Sequence, residues 1–124
     1  MNAKNILVID DSVPLLKLYK DILTSYGYVV TTRSTGKGAL DFVSSIRPNL
    51  IILDMMLDGY DGRDICNTLE QSHSVKDIPV VIVSATYLLE RRISGRCKPD
   101  NFLEKPFEID DLGTMIESEL KKAG

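Results

Sequence analysis

The chain has 124 residues, of which 44% are apolar and 27% charged, with a formal net charge of −3. That length points to one domain and is enough to bury a core without a disulfide or structural metal. The weakly acidic balance excludes a general attraction for nucleic acid or anionic membrane, and no apolar run approaches the ~18 residues of a membrane span.

Strand-like and helix-like segments alternate five times along the chain. The opening residues Met1 to Asn5 lack the apolar core of a signal peptide, which predicts a soluble, cytoplasmic protein. Ile6 to Ile9 then forms a continuous apolar run, as do Leu50 to Leu53 and Val80 to Val83. Such runs suit strands covered on both faces of a parallel sheet. Tyr28 to Arg33 is half polar and Asn101 to Glu104 is short, so these two are expected at the sheet edges.

Helices are predicted between the strands. Ser12 is an N-cap, with Pro14 in the first turn and a buried stripe of Leu15, Leu18, Tyr19, Ile22 and Leu23. Gly27 is placed to end that helix. The second helix is expected from Gly36 to Ile46, and the third begins at an Asp61 cap and carries Ile65 and Leu69. A short fourth, between Thr86 and Gly95, leads into a basic connector ending at Pro99. The fifth bears Ile109, Leu112, Ile116 and Leu120 on one face, with acidic residues early and Lys121 and Lys122 late, as the helix dipole favours. The expected fold is α/β: a single doubly wound domain over residues 1–124, with five parallel strands and right-handed crossovers.

In such sheets ligands bind beyond the carboxyl ends of the strands. The residues there are Asp10 and Asp11 after the first strand, Asp54 after the third, Ser84 after the fourth and Lys105 after the fifth. Three crowded carboxylates repel one another, and a divalent cation relieves that repulsion. Oxygen-only ligands suit Mg²⁺, which shares its coordination sphere with phosphoryl oxygens. A carboxylate nucleophile, a metal and an ammonium together form a site for an arriving phosphoryl group.

With these residues placed, the sequence resembles the receiver domain of two-component response regulators along essentially its whole length. The motifs are Ile6-Leu7-Val8-Ile9-Asp10-Asp11-Ser12, Gly36-x-x-Ala39-Leu40, Pro48-x-Leu50-Ile51-Ile52-Leu53-Asp54, Asp61-Gly62, Val83-Ser84-Ala85 and Phe102-Leu103-x-Lys105-Pro106-Phe107. The resemblance implies the CheY-like strand order 2-1-3-4-5 and phosphorylation of Asp54 by a phosphohistidine. The donor would be a sensor histidine kinase or a histidine phosphotransfer protein. It implies Mg²⁺ held by Asp10, Asp11, Asp54 and the backbone carbonyl of Met56. Ser84, Ala85 and Lys105 would contact the phosphoryl group, and Ser84 and Phe102 would act as the switch. Pro106 would follow a cis peptide. A downstream protein would dock on the face formed by the fourth helix, fifth strand and fifth helix, without direct contact to nucleic acid or membrane. The chain would be a phosphoacceptor that assists its own phosphorylation and dephosphorylation, not a turnover enzyme.

Two departures stand out. The family usually has proline where this chain has Asp58, which predicts a looser loop after the acceptor. The segment Arg91 to Pro99 replaces an alanine-rich pattern, and its Arg91, Arg92, Arg96 and Lys98 read as a solvated face or a patch for an acidic partner. His73 reads as a surface residue, Cys66 and Cys97 as free thiols, and Tyr60 and Met55-Met56 as loop and packing residues. Two other functions compete. A Mg²⁺-dependent aspartyl phosphohydrolase would want a second Asp where Ser12 stands. A phosphorylation-independent interaction domain would have no need of the acidic cluster. No output domain fits after Lys122, so a stand-alone receiver and a piece of a longer protein both remain open.

Overall fold

Three apolar strands form the centre of the molecule. In the computed structural model, which describes residues 3–85 and 100–123, these are β1 (Asn5–Ile9), β3 (Leu50–Asp54) and β6 (Val80–Ala85). β2 (Val29–Arg33) and β7 (Asn101–Lys105) flank them. All pairings in this sheet are parallel, in the order β2-β1-β3-β6-β7. The two more polar candidates are therefore the edges, where one side of the strand forgoes ladder pairing.

Side chains of successive strand residues point to opposite faces, and both faces are buried. Ile6, Val8, Leu50, Ile52, Val81 and Val83 pack with Leu16, Tyr19, Ile22 and Leu23 of helix α1 (Val13–Ser25), and with Leu112 and Ile116 of the C-terminal helix α4 (Ile109–Ala123). Leu7, Ile9, Ile51, Leu53, Val80 and Ile82 pack with Ala39 and Val43 of α2 (Ala39–Ile46), and with Ile65, Cys66 and Leu69 of α3 (Gly62–Glu70). Among the described residues no helix is long and apolar enough to cross a membrane.

Several local expectations shift. Leu18 is 49% exposed and Leu16 takes its place in the buried stripe of α1. α2 starts at Ala39 because Gly38 adopts a left-handed φ of +70°, which interrupts a right-handed helix. Ile109 is exposed at the start of α4. Asp58, where the family usually has proline, lies in the loop after Asp54. That loop folds into a small antiparallel ribbon of β4 (Met56–Leu57) and β5 (Tyr60–Asp61), turned by Asp58 and Gly59. Gly59 has φ +77°, and a Cβ there would meet no atom within 4 Å, so glycine serves the backbone conformation rather than a close approach. The expected fourth helix, the basic connector with Arg91, Arg92, Arg96 and Lys98, and Cys97 lie outside the described residues.

Candidate functional site at the carboxyl rim of the sheet

Parallel pairing brings the carboxyl ends of β1, β3, β6 and β7 to one rim. Asp10 and Asp11 follow β1, whereas Asp54 and Lys105 are the last residues of β3 and β7, and Ser84 is the last but one of β6. The strands thus run one or two residues further than their apolar runs, because ladder pairing continues through Asp54↔Val83 and Ala85↔Lys105. Asp10, Asp54 and Ser84 are buried, at 2%, 7% and 2% exposure, and Asp11 is exposed.

Lys105 starts two strands away from Asp54, and its four-carbon stem spans β6. Its Nζ lies 3.2 Å from Asp10 Oδ2 and 3.3 Å from Asp54 Oδ2. The next peptide bond, Lys105–Pro106, is cis. Each carboxylate also accepts one backbone N–H. Ser12 donates to Asp10 Oδ1 at 2.9 Å, Met56 to Asp54 Oδ1 at 3.2 Å and Asp58 to Asp11 Oδ2 at 2.9 Å. Ser12 also caps α1 by accepting the Leu15 N–H at 3.3 Å. On the far side of the loop after Asp54, Asp61 caps α3 through the Arg63 N–H and pairs with the Arg63 guanidinium.

Carboxylate oxygens of Asp10, Asp11 and Asp54 all lie within 4.8 Å of one another. This hard, all-oxygen donor set fits a divalent cation such as Mg²⁺, and does not resemble the nitrogen and sulfur sets of zinc. Met56 is largely exposed in β4, beside the cluster. Ala85 pairs with Lys105 at the rim. Phe102 is 44% exposed and pairs with Ile82, two positions before the Ser84↔Glu104 pair. His73 is exposed, Met55 and Cys66 are buried in the core and Tyr60 lies in β5. Two features had no sequence signal: the Asp58 amide on Asp11, and the Tyr19 hydroxyl, buried with no hydrogen-bond partner among the described residues.

Burial and mutual repulsion set the electrostatics of the cluster. Burial pushes the Asp54 carboxyl above its ordinary pKa and the Asp10 carboxylate adds to this, while Lys105 and the Met56 amide pull it back. Burial works against the Lys105 ammonium, but the Asp54 and Asp10 carboxylates outweigh it and raise its pKa. A carboxyl that binds its proton more tightly folded than unfolded favours the native state while protonated. That favour is lost as pH rises from the ordinary carboxylate range through the raised value. In metal-free protein, Asp54→Asn is therefore expected to exceed the parent in stability at neutral pH, with the gain shrinking below about pH 4. Urea unfolding at the two pH values measures this, and a parent more stable than the variant at neutral pH would refute it.

Residues 6–117 match the response regulator receiver domain family. The chain is 32% identical over 123 residues to a probable transcriptional regulator ycf27 of Cyanophora paradoxa, covering 98% of this chain and 50% of that protein. It is 30% identical over 118 residues to the response regulator MprA of Mycolicibacterium vanbaalenii, covering 94% of this chain and 50% of that one. The chain thus spans about half the length of these curated relatives. Among solved structures, it resembles the signal receiver domain of a LuxO repressor protein of Vibrio parahaemolyticus. The TM-score there is 0.85 at 30% identity, covering 98% and 93% of the two chains. The receiver domain of a Pseudomonas aeruginosa sensor histidine kinase, with magnesium in its active-site cleft, shares the fold with a TM-score of 0.87 at 21% identity over 97% and 99%. The chain belongs to the response regulator receiver domain family of two-component signalling.

Proposed function

We propose that this domain, spanning residues 1–124, accepts a phosphoryl group on Asp54 from a phosphohistidine of a sensor kinase or phosphotransfer protein. The observation that carries this reading is the Lys105 ammonium held between Asp10 and Asp54 at the sheet rim, within a triad of carboxylates. An Asp54 oxygen forms the new bond to phosphorus, and the bond to the histidine nitrogen breaks. Lys105 is placed to leave its carboxylate contacts and pair with the arriving phosphoryl oxygens. Asp10, Asp11 and Asp54, with the Met56 carbonyl, would hold Mg²⁺, which supplies charge neutralisation at those oxygens. The magnesium in the Pseudomonas aeruginosa receiver supports that assignment by likeness of fold. The domain would assist its own phosphorylation and dephosphorylation while remaining a switch.

The test is direct. Incubated with Mg²⁺ and acetyl phosphate, the chain should gain the mass of one phosphoryl group. No gain would overturn the reading.

Output would run through Ser84 and Phe102, which sit two positions apart on neighbouring strands. Ser84 would meet the phosphoryl group and the half-exposed Phe102 ring would turn inward, altering the face offered to a protein partner. Ser84→Ala and Phe102→Ala are each expected to accept phosphate to at least about half the parental level, since neither residue is the nucleophile. Both should show reduced amide shifts along β7 and α4 on phosphorylation. Undiminished shifts in both variants would sink the coupling, which requires a contact that differs between two states.

A further inference from the structure

The three carboxylates of the rim are not held alike. Asp10 and Asp54 each have a backbone N–H on one oxygen and the Lys105 ammonium on the other. Asp11 is exposed, and among the described residues its carboxylate has one hydrogen-bond donor, the backbone N–H of Asp58 at 2.9 Å. That donor stands at the turn of the β4–β5 ribbon, 47 positions along the chain. Among the described residues no other hydrogen bond or ion pair holds the third carboxylate.

We propose that the Asp58 backbone amide is a positioning group for metal binding: it orients Asp11 towards Asp10 and Asp54, so that cation affinity depends on the β4–β5 turn. This rests on the reading of the three carboxylates as a Mg²⁺ site. The amide binds through Asp11 Oδ2, which leaves Asp11 Oδ1 and the remaining lone pairs for a cation. Hydrogen-bond partners of metal ligands typically govern affinity by 10–100-fold, because a ligand already aimed loses less freedom on binding. The carboxylate side chain of Asp58 is exposed, and its own effect on the cation is separable from that of the amide by substitution.

Two substitutions separate the amide from the side chain. Asp58→Ala keeps the N–H and removes the carboxylate, whereas Asp58→Pro removes the N–H. Proline is compatible with the site, because Asp58 is not among the residues with positive φ and the preceding Leu57 is in a strand. Mg²⁺ would be titrated into each protein and followed by amide shifts in a ¹H–¹⁵N spectrum, with thermal unfolding in chelator as the check on folding. Asp58→Ala should bind Mg²⁺ within about threefold of the parent, and Asp58→Pro about tenfold more weakly at unchanged metal-free stability. Equal affinity in all three proteins, or equal weakening in both variants, would overturn the proposal while leaving the metal site standing. A parent that does not bind Mg²⁺ would overturn the site and the proposal together.

A second measurement needs neither proline nor metal. In Asp11→Ala the Asp58 amide should exchange with solvent at least about tenfold faster, as expected when a surface amide loses its acceptor. Unchanged exchange would show that the bond does not hold the turn, and would also overturn the proposal.

Discussion

Asp54→Ala is expected to abolish phosphoryl labelling under conditions where the parent is labelled to near completion. The carboxylates next to it are poor substitutes as acceptors. Asp10 is 2% exposed, with one oxygen on the Ser12 amide and the other on Lys105. Asp11 is exposed and turned towards the Asp58 amide. Asp54 shares the Lys105 contact and the neighbouring carboxylates with Asp10, but it is the less buried of the two, at 7% exposure, and it stands at the position where the receiver resemblance puts the acceptor. Removing the nucleophile of a covalent transfer removes the reaction, so the loss should be complete within detection. Intact mass after acetyl phosphate and Mg²⁺ decides it. A variant labelled as fully as the parent would show that another group is the acceptor. Chelating the metal should slow labelling of the parent, because Lys105 alone does not offset three carboxylates and an arriving phosphoryl group.

Gly62→Ala should be the most damaging added methyl among the described glycines. Gly62 opens α3 directly against the end of β3, and its N–H donates to the Met55 carbonyl at 2.8 Å. A Cβ at this position would stand inside van der Waals contact of the Asp54 carbonyl oxygen and 2.8 Å from Met55 Cα. These are backbone atoms of Asp54 and its neighbour, so no side chain can move aside. Overpacking of this kind costs about 3 kcal/mol when the neighbours are rigid, and relief requires displacing Asp54 itself. Urea unfolding should show that loss, and labelling of the surviving folded protein should slow. Gly59→Ala is the control. It adds its methyl in open space and pays only for the positive φ, about 1 kcal/mol. If Gly62→Ala proved as stable as Gly59→Ala, the close approach of α3 to the end of β3 would be wrong.

Periodicity alone carried much of this architecture. The continuous apolar runs at Ile6, Leu50 and Val80 mark strands covered on both faces. The polar Thr31 and Thr32 and the short Asn101 segment mark edges, since an edge strand is covered less completely. Ser12 and Asp61 were legible as caps because a side-chain oxygen next to a helix start satisfies an N–H locally. The rim residues were legible for a related reason. In a parallel sheet every strand ends on the same side, so chemistry at the strand ends converges without any knowledge of side-chain geometry.

Tertiary structure decided what depends on contacts between distant segments. Leu16 rather than Leu18 faces the core, a choice made by packing against the sheet, since Leu16 is at helical spacing from Tyr19 and Leu23 just as Leu18 is from Leu15 and Ile22. The loop after Asp54 forms a ribbon that the sequence did not foretell, with Asp58 and Gly59 at its turn and the Asp58 N–H on Asp11. That bond joins two backbone regions 47 residues apart, and a backbone amide has no sequence identity to read. The same holds for Lys105. Its presence at a strand end is written in the chain, but its position between Asp10 and Asp54 follows only from the order in which the sheet sets β1, β3, β6 and β7 side by side.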